Sequence, residues 1–311
     1  MTATSQSDLS VVALAGGVGG ARLVDGLDRA LPTGSLTAVV NTGDDFQHWG
    51  LHISPDLDTV MYTLAGLSPE DRGWGIEGDT FRVLEEARRR GAEDWFQLGD
   101  RDLVTHLSRS AALARGDSLT QATSGLCSAL GVECPILPMA DAPCPTTIVT
   151  QGGDELAFQE WLVHARAAPA VRAVRHEGAA RATQAVLDAL TAADLVLISP
   201  SNPYVSIGPI LALTGVADAL RQTIAVAVSP ILGGKAVKGP LATMIQEIDG
   251  CTPSAEAVAR HYEGFLDGFA VHPGDGFDAP YPILETNILI QSKRDRVVFA
   301  RELIEFSRSL R

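Results

Sequence analysis

Two kinds of hydrophobic pattern alternate along this chain: short continuous apolar runs, and longer stretches whose apolar positions recur every three or four residues. Residues 10–15 are a run of the first kind and end in Gly16-Gly17-Val18-Gly19-Gly20. Leu23, Val24, Leu27, Ala30 and Leu31 follow at helical spacing, which predicts a helix over 21–31 stopped by Pro32 and Gly34. The run at 36–40 reads as a buried parallel strand, so the chain opens as strand, glycine-rich turn, helix, strand, a βαβ unit. From residue 55 to about 131 the pattern is mostly helical, with segments at 58–66, 79–90, 102–115 and 119–130. Strand signals return at 134–138, 146–150 and 156–163, and a helix is predicted over 180–192. DLVLIS at 194–199 and TIAVAV at 223–228 are again continuous apolar runs, both ending in Ser-Pro, and predict central parallel strands. An amphipathic helix is predicted at 294–310, with Val297, Val298, Ala300, Leu303, Ile304 and Phe306 as its apolar positions.

This pattern predicts an α/β fold: a Rossmann-like, mostly parallel sheet with helices on both faces and a helical insertion or cap. The expected organisation is a disordered leader over 1–9, then a single α/β domain over 10–311 with the insertion at about 57–131. The composition agrees, being 46% hydrophobic but only 5% aromatic, which suits helices packed closely on a sheet. The net charge of −14, from 38 acidic and 24 basic residues, argues against nucleic acid as a partner. An acidic protein that holds a phosphorylated ligand must supply positive potential locally, from a metal ion, helix N-termini or a few Arg and Lys. The N-terminus has no basic start and no apolar core before a cleavage site, and no run of about 18 apolar residues occurs. No membrane association and a cytoplasmic location are therefore expected. The four cysteines form no C-x-x-C pair and read as reduced thiols.

The candidate chemistry sits in loops after strands. Gly16, Gly17, Gly19 and Gly20 lie between a strand and a helix, where backbone amides and the helix dipole favour a phosphate, and Arg22 adds a charge-assisted partner. Neither the dinucleotide fingerprint nor the Walker loop is present at its usual spacing. Asn41-Thr42-Gly43-Asp44-Asp45 follows the second strand, and its adjacent carboxylates suit Mg²⁺. Asp56 and Asp58 open the next helix, where one is a plausible N-cap and Asp58 is a candidate metal or substrate residue. Gly99-Asp100-Arg101-Asp102, with Thr105 and His106 one turn on, is either an ordinary helix start or a polar wall for an acceptor. Ser199-Pro200-Ser201-Asn202-Pro203, continuing to Ser206, Gly208 and Pro209, is a rigid loop rich in hydrogen-bonding groups. Ser229-Pro230-Ile231-Leu232-Gly233-Gly234-Lys235, with Lys238, repeats that design and adds two cations.

Taken together, GGVGGAR at 16–22, NTGDD at 41–45, SPDLDT at 54–59, WGIEGDTF at 74–81, LGDRDLVTHL at 98–107, SPSNPYVSIGPIL at 199–211 and SPILGG at 229–234 resemble the 2-phospho-L-lactate transferase family of coenzyme F420 biosynthesis. The blocks run in order from about residue 11 to 272, and the match loosens beyond about 240. The resemblance implies a Mg²⁺-dependent transferase that moves a phospho-acid unit from a GDP-linked donor to the ribityl hydroxyl of the deazaflavin Fo, giving F420-0 or its dehydro form and GMP. It further implies a Rossmann-like core and a homodimer. Carried over residue by residue, Gly16, Gly17, Gly19, Gly20 and Arg22 would hold the donor diphosphate. Ser201, Asn202, Ser206, Gly208, Gly233 and Lys235 would contact the rest of the donor nucleotide. Asp44, Asp45 and Asp58 are the metal candidates, Asp45 and Asp58 the catalytic ones, and Asp58, Arg101, Asp102 and His106 would face the acceptor. The alternative is a related group with a similar glycine-rich core that binds nucleotide sugars and regulates without turnover.

Overall fold

The computed structural model describes residues 9–176 and 181–310; the expected leader, apart from Leu9, and the first residue of the helix predicted over 180–192 lie outside them. Leu9 itself is buried.

In chain order the strands are β1 (Val11–Ala15), β2 (Leu36–Val40), β3 (Phe46–His48), β4 (Leu51–Ile53), β5 (Ile136–Pro138), β6 (Thr146–Thr150), β7 (Glu155–Ala157), β8 (Val171–His176), β9 (Leu195–Ile198), β10 (Ile224–Val228), β11 (Ile231–Leu232), β12 (Lys235–Ala236), β13 (Gly268–Val271) and β14 (Ile283–Glu285). The helices are α1 (Gly17–Ala30), α2 (Pro55–Leu64), α3 (Arg82–Arg89), α4 (Asp102–Ala114), α5 (Leu119–Ala129), α6 (Gln184–Ala192), the short α7 (Gly208–Leu211), α8 (Val216–Leu220), α9 (Leu241–Met244) and α10 (Ala255–Ala259), and α11 (Lys293–Arg308).

Seven strands form one sheet in the order β14-β13-β10-β9-β1-β2-β5. Every pairing in it is parallel. Alternate residues of each central strand serve opposite faces. Val11, Ala13 and Ala15 join a core with α1, α2, α5 and α11, while Val12 and Leu14 join a core with α6, α8 and α10. Both faces are thus covered, which is why these strands read as unbroken apolar runs. The expected Rossmann-like α/β fold is the observed one.

Some elements differ from expectation. The chain at 156–163 was expected as a strand, but β7 stops at Ala157 and a π-helical turn occupies Glu160–His164. Phe158 and Trp161 are buried at helical spacing, and Gln159 between them is buried too, so alternation fails there. Strand β8 carries two charged residues, Arg172 and Arg175, and pairs antiparallel with β6 in a separate three-stranded sheet. No helix among the described residues is long and apolar enough to cross a membrane.

The first and last long helices are locked together. Asp25 in α1 accepts from Arg296 in α11 at 2.9 Å, and Arg296 also reaches Glu70 at 2.9 Å. The backbones come close enough that a Cβ on Gly26 would meet the carbonyl oxygen of Arg296. This pair fixes α1, and with it the glycine turn at its start.

Candidate functional site

The chain runs outward from β1 through β2 to β5, then returns to β9 and proceeds the other way through β10, β13 and β14. The order reverses between β1 and β9, and in open parallel sheets the crevice at the strand ends beside such a reversal is where ligands bind. The glycine turn after β1 and the Ser-Pro loop after β9 meet there. Ser201 Oγ donates to the Gly16 carbonyl at 2.7 Å. A Cβ on Gly19 would collide with the Pro200 carbonyl oxygen, and one on Gly16 would lie 2.6 Å from Asp56 Oδ2 and 2.8 Å from Ser206 Cβ. Only glycine lets three loops converge here. The helix starts at Gly17, four residues before the expected 21, so the glycines are its first turn and not a loop preceding it. Low intrinsic propensity hides that turn in the sequence.

What starts the helix is Asp56. Its Oδ1 accepts from Gly17 N at 2.7 Å, and its Oδ2 accepts from Asn41 Nδ2 at 2.9 Å. The expected capping of α2 by Asp56 or Asp58 does not occur: Ser54 is the N-cap of α2, without a side-chain bond, and Asp56 serves α1 instead. Asn41 also reaches Asp44 Oδ1 at 3.3 Å, and Gln159 Nε2 donates to Asp44 Oδ2 at 2.9 Å. Burial, then the charges of Asp56 and Asp45, pushes the Asp44 carboxyl well up. Burial also pushes Asp56 up to about 6, against the bonds from Asn41 and Gly17. An unfolded Asp titrates near 3.9, so between about pH 4 and 6 the folded chain holds more protons and its stability falls as pH rises through that window. In metal-free buffer, lowering the pH from 7 to 5 is expected to raise stability by on the order of 1 kcal/mol through Asp56 alone. Asp56→Asn, which keeps the acceptor for Gly17, should remove that increment; urea midpoints at the two pH values read it. Asp45 accepts from His52 at 3.0 Å and Ser54 at 2.8 Å, while its Oδ1 has no partner.

A cavity of about 870 Å³ opens beside this crevice, under the helical segment. Val18, from the first turn of α1, lines it, so the glycine turn and the cavity share a wall. Trp74, Trp95, Phe96 and His164 line its outer side, with Trp95 and His164 stacked at 5.5 Å and 9°. At its floor α2 and α4 bring Asp58, Tyr62, Asp102 and His106 together. Behind them Arg109, fully buried, binds both oxygens of Asp58, the Nη1–Oδ2 contact being 3.1 Å. Tyr62 donates to Asp102 Oδ1 at 2.7 Å. Burial works against the ionised form of Asp102, but His106, Tyr62 and Arg109 outweigh it and hold the carboxyl below its ordinary value. Burial, with the charges of Asp58 and Asp102, pushes Tyr62 far up, so its phenol keeps its proton.

Of the expected metal set, Asp58 joins a different group from Asp44 and Asp45. Among the described residues, the one cluster within metal-binding reach is Asp58, Asp102 and His106, whose ligand atoms lie within 4.8 Å of one another. Two carboxylates supply the hard oxygens Mg²⁺ prefers, and Arg109 occupies only two of the roughly four lone-pair sites of Asp58. His106 Nε2 is buried without a hydrogen-bond partner although it lies 3.3 Å from Asp102 Oδ1. The donor set therefore fits a divalent cation held mainly by Asp58 and Asp102.

Other expected residues fall elsewhere. Arg22 turns away from the glycine amides and donates to the Glu70 carbonyl at 2.9 Å. Arg101 lies outside the cavity: its guanidinium donates to the Glu77 carbonyl at 3.0 Å, because its backbone opens α4 and its side chain points out. Asn202 accepts from Tyr204 N at 2.9 Å and so opens the π-helical turn Pro203–Ile207, while Ser206 packs over Gly16. Gly208 packs against His176 and the Pro203 carbonyl. Gly233 and Lys235 belong to the β11–β12 hairpin, where Lys235 is exposed and Gly233 N donates to Asp275 at 2.9 Å. Lys238 donates to the Arg72 carbonyl at 2.8 Å. Arg109, Tyr62 and Gln159 carried no expectation. The signal for Arg109 was present: residues 102, 105, 106 and 109 share the inward face of one helix, and all four are polar.

A family model described as 2-phospho-L-lactate transferase CofD matches residues 11–280. The chain is 43% identical over 295 residues to a phosphoenolpyruvate transferase of Mycobacterium sp. strain KMS, covering 86% of this chain and 89% of that protein. It is 42% identical over 270 residues to the 2-phospho-L-lactate transferase of Methanosarcina acetivorans, covering 86% and 87%. Among solved structures, a UPF0052-family protein of Bacillus halodurans superposes with a TM-score of 0.59 at 18% identity, over 89% of this chain and 88% of that one, which shows a shared fold.

Proposed function

From the premise that this chain belongs to the 2-phospho-L-lactate transferase CofD family, we propose that it transfers a phospho-acid unit from a GDP-linked donor to the ribityl hydroxyl of Fo, releasing GMP. The observation that carries this reading is the shared wall: Val18 of the glycine turn lines the cavity whose floor holds Asp58 and Asp102. In the proposed arrangement the donor diphosphate meets the first turn of α1, at the β1/β9 crevice. The flat deazaflavin enters the aromatic side of the cavity, beside Trp95 and His164. Its ribityl hydroxyl then points to Asp58.

The hydroxyl oxygen forms a bond to the phosphorus bearing the acid as the bond from that phosphorus to GMP breaks, and the hydroxyl proton passes to Asp58 or to water. Such transfers depend mainly on positioning and charge neutralisation. The residues fit that demand. Asp58 is held by Arg109 and orients the hydroxyl; Asp102, kept below its ordinary titration range, is a poor base and a good anchor. Asp58 and Asp102 would hold Mg²⁺, which would supply charge neutralisation during the transfer. We read the helical segment over about 57–131 as a cap within one domain, the enzyme as cytoplasmic, and its working form as a homodimer.

The test is product mass. The purified chain is incubated with Fo, Mg²⁺ and each GDP-linked acid in turn. An F420-0-type product with GMP release is expected, and the donor that reacts fastest identifies the acid as lactate, enolpyruvate or glycerate. No product with any donor, together with tight binding of a UDP-sugar, would transfer the case to a nucleotide-sugar-binding regulator.

A further inference from the structure

The segment that brings His164 to the cavity wall ends in an unusual reversal. Its π-helical turn, Glu160–His164, closes with Ala165 N donating to the Glu160 carbonyl and Ala167 N donating to the Trp161 carbonyl, both at 2.8 Å. A helical turn that reverses in this way needs a left-handed residue just past its end, and glycine is the usual one. Here Arg166 and Ala167 fill the reversal, at φ 54° and 51°. Elsewhere among the described residues positive φ belongs to glycine, Trp49 excepted. The surroundings hold the strained backbone in place. Trp161 is buried and its indole donates to the Pro169 carbonyl at 2.8 Å, while Gln151 N donates to the Ala170 carbonyl at 2.8 Å. A costly conformation that its neighbours enforce marks a position kept for something other than stability.

Arg166 lines the cavity, and it is exposed. The carboxylates of that cavity are matched: Asp58 by Arg109, Asp94 by Arg88, and Asp102 by the Tyr62 hydroxyl and the neighbouring His106. Arg166 has no hydrogen-bond or ion-pair partner among the described residues. The cavity thus has carboxylates at its floor and an unmatched guanidinium beside its aromatic wall.

We infer that Arg166 is a specificity-determining residue whose guanidinium pairs with the ionised ring hydroxyl of the deazaflavin acceptor. This rests on the transferase reading and deepens it. In that reading the ring lies beside Trp95 and His164, and Arg166 follows His164 by two residues. The ring hydroxyl of Fo is conjugated to the carbonyls of the pyrimidine ring. It is a vinylogous acid, and its anion is spread over a planar system that a guanidinium matches in shape and charge. Asp58 and Asp102 repel that anionic edge from the floor, and Arg166 attracts it to the outer side. The two together turn the ribityl arm inward. A flavin with a methyl group in place of the hydroxyl gains nothing from Arg166. Because the guanidinium is exposed, it loses little by staying unpaired, so selectivity comes from the attraction to Fo and its size is modest.

Equilibrium binding to the full chain tests this, with Mg²⁺ present and GDP in place of the donor so that no turnover occurs. The probes are Fo and a ribityl deazaflavin that lacks the ring hydroxyl. Arg166→Met should weaken Fo binding roughly tenfold and change binding of the hydroxyl-free analogue less than about twofold. A cation beside a phenolate favours the ionised form. The pH midpoint of the visible absorption change of bound Fo should therefore be about one unit higher in Arg166→Met than in the unaltered chain. Arg166→Gly, which suits the left-handed backbone, should lose the same affinity while its thermal unfolding midpoint stays level or rises. Unchanged Fo affinity and an unchanged absorption midpoint in Arg166→Met overturn the inference and leave the transferase reading standing. Equal weakening of Fo and the analogue overturns the assignment to the ring hydroxyl. A fall in the unfolding midpoint of Arg166→Gly overturns the claim that arginine is kept there against the backbone's preference. An unaltered chain that binds neither probe overturns the transferase reading itself.

Discussion

Arg109→Met is expected to lower folding stability by about 3–5 kcal/mol, the usual loss when one member of a buried ion pair is removed. Arg109 is fully buried and Asp58 nearly so, and each is the other's main counter-charge. Methionine fills much of the volume but leaves the Asp58 carboxylate in a low-dielectric site without a cation. The double variant Asp58→Asn/Arg109→Met should recover a large part of the loss, because a neutral amide replaces the stranded charge. Guanidinium unfolding midpoints of the single and double variants measure both. A single-variant loss below about 1 kcal/mol would show that water reaches the pair.

Asp58→Asn is expected to reduce turnover by roughly 10²–10⁴-fold, the range typical for removing a positioned group that handles the reacting hydroxyl. It should also abolish the response to Mg²⁺, if Asp58 both orients the acceptor and holds the cation. The substitution strands the Arg109 guanidinium in turn, so lost activity alone could reflect a weakened fold. The double variant separates the two effects: restored stability without restored turnover assigns the loss to chemistry. A single variant that turns over with unchanged Mg²⁺ dependence would remove Asp58 from both roles.

These expectations come from residues of very different legibility. Strands β1, β2, β9 and β10 were evident because burial on both faces makes them continuous apolar runs, and their loops were evident because glycine, proline and serine cluster at their ends. Placing Asp58, Asp102 and His106 in one site was also within reach of the sequence, since two short polar motifs carry them. Asp56 was misjudged because a carboxylate at a helix start reads as that helix's own cap; nothing local reveals that it reaches α1, 39 residues back. Arg101 was misjudged for a related reason, since a charged motif does not say which of its members points inward. Arg109 went unseen because its partner is 51 residues away in sequence, and strand β8 because its charges mask a half-buried antiparallel strand. Pattern reports which face is buried; it does not report what the face is buried against.

The bond between Asp25 and Arg296 spans 271 residues. It therefore imposes an order of events on a chain that leaves the ribosome from its N-terminus. Helix α1, whose first turn is the glycine segment, can lie on β1 and β2 as soon as these emerge, but it reaches its final seat only when residue 296 has been made. Until then Asp25 and the flank of Gly26 face solvent, and the nascent crevice has a loose wall. A chain interrupted anywhere between β10 and α11 would carry every loop of the crevice and still lack the element that holds the first of them in place.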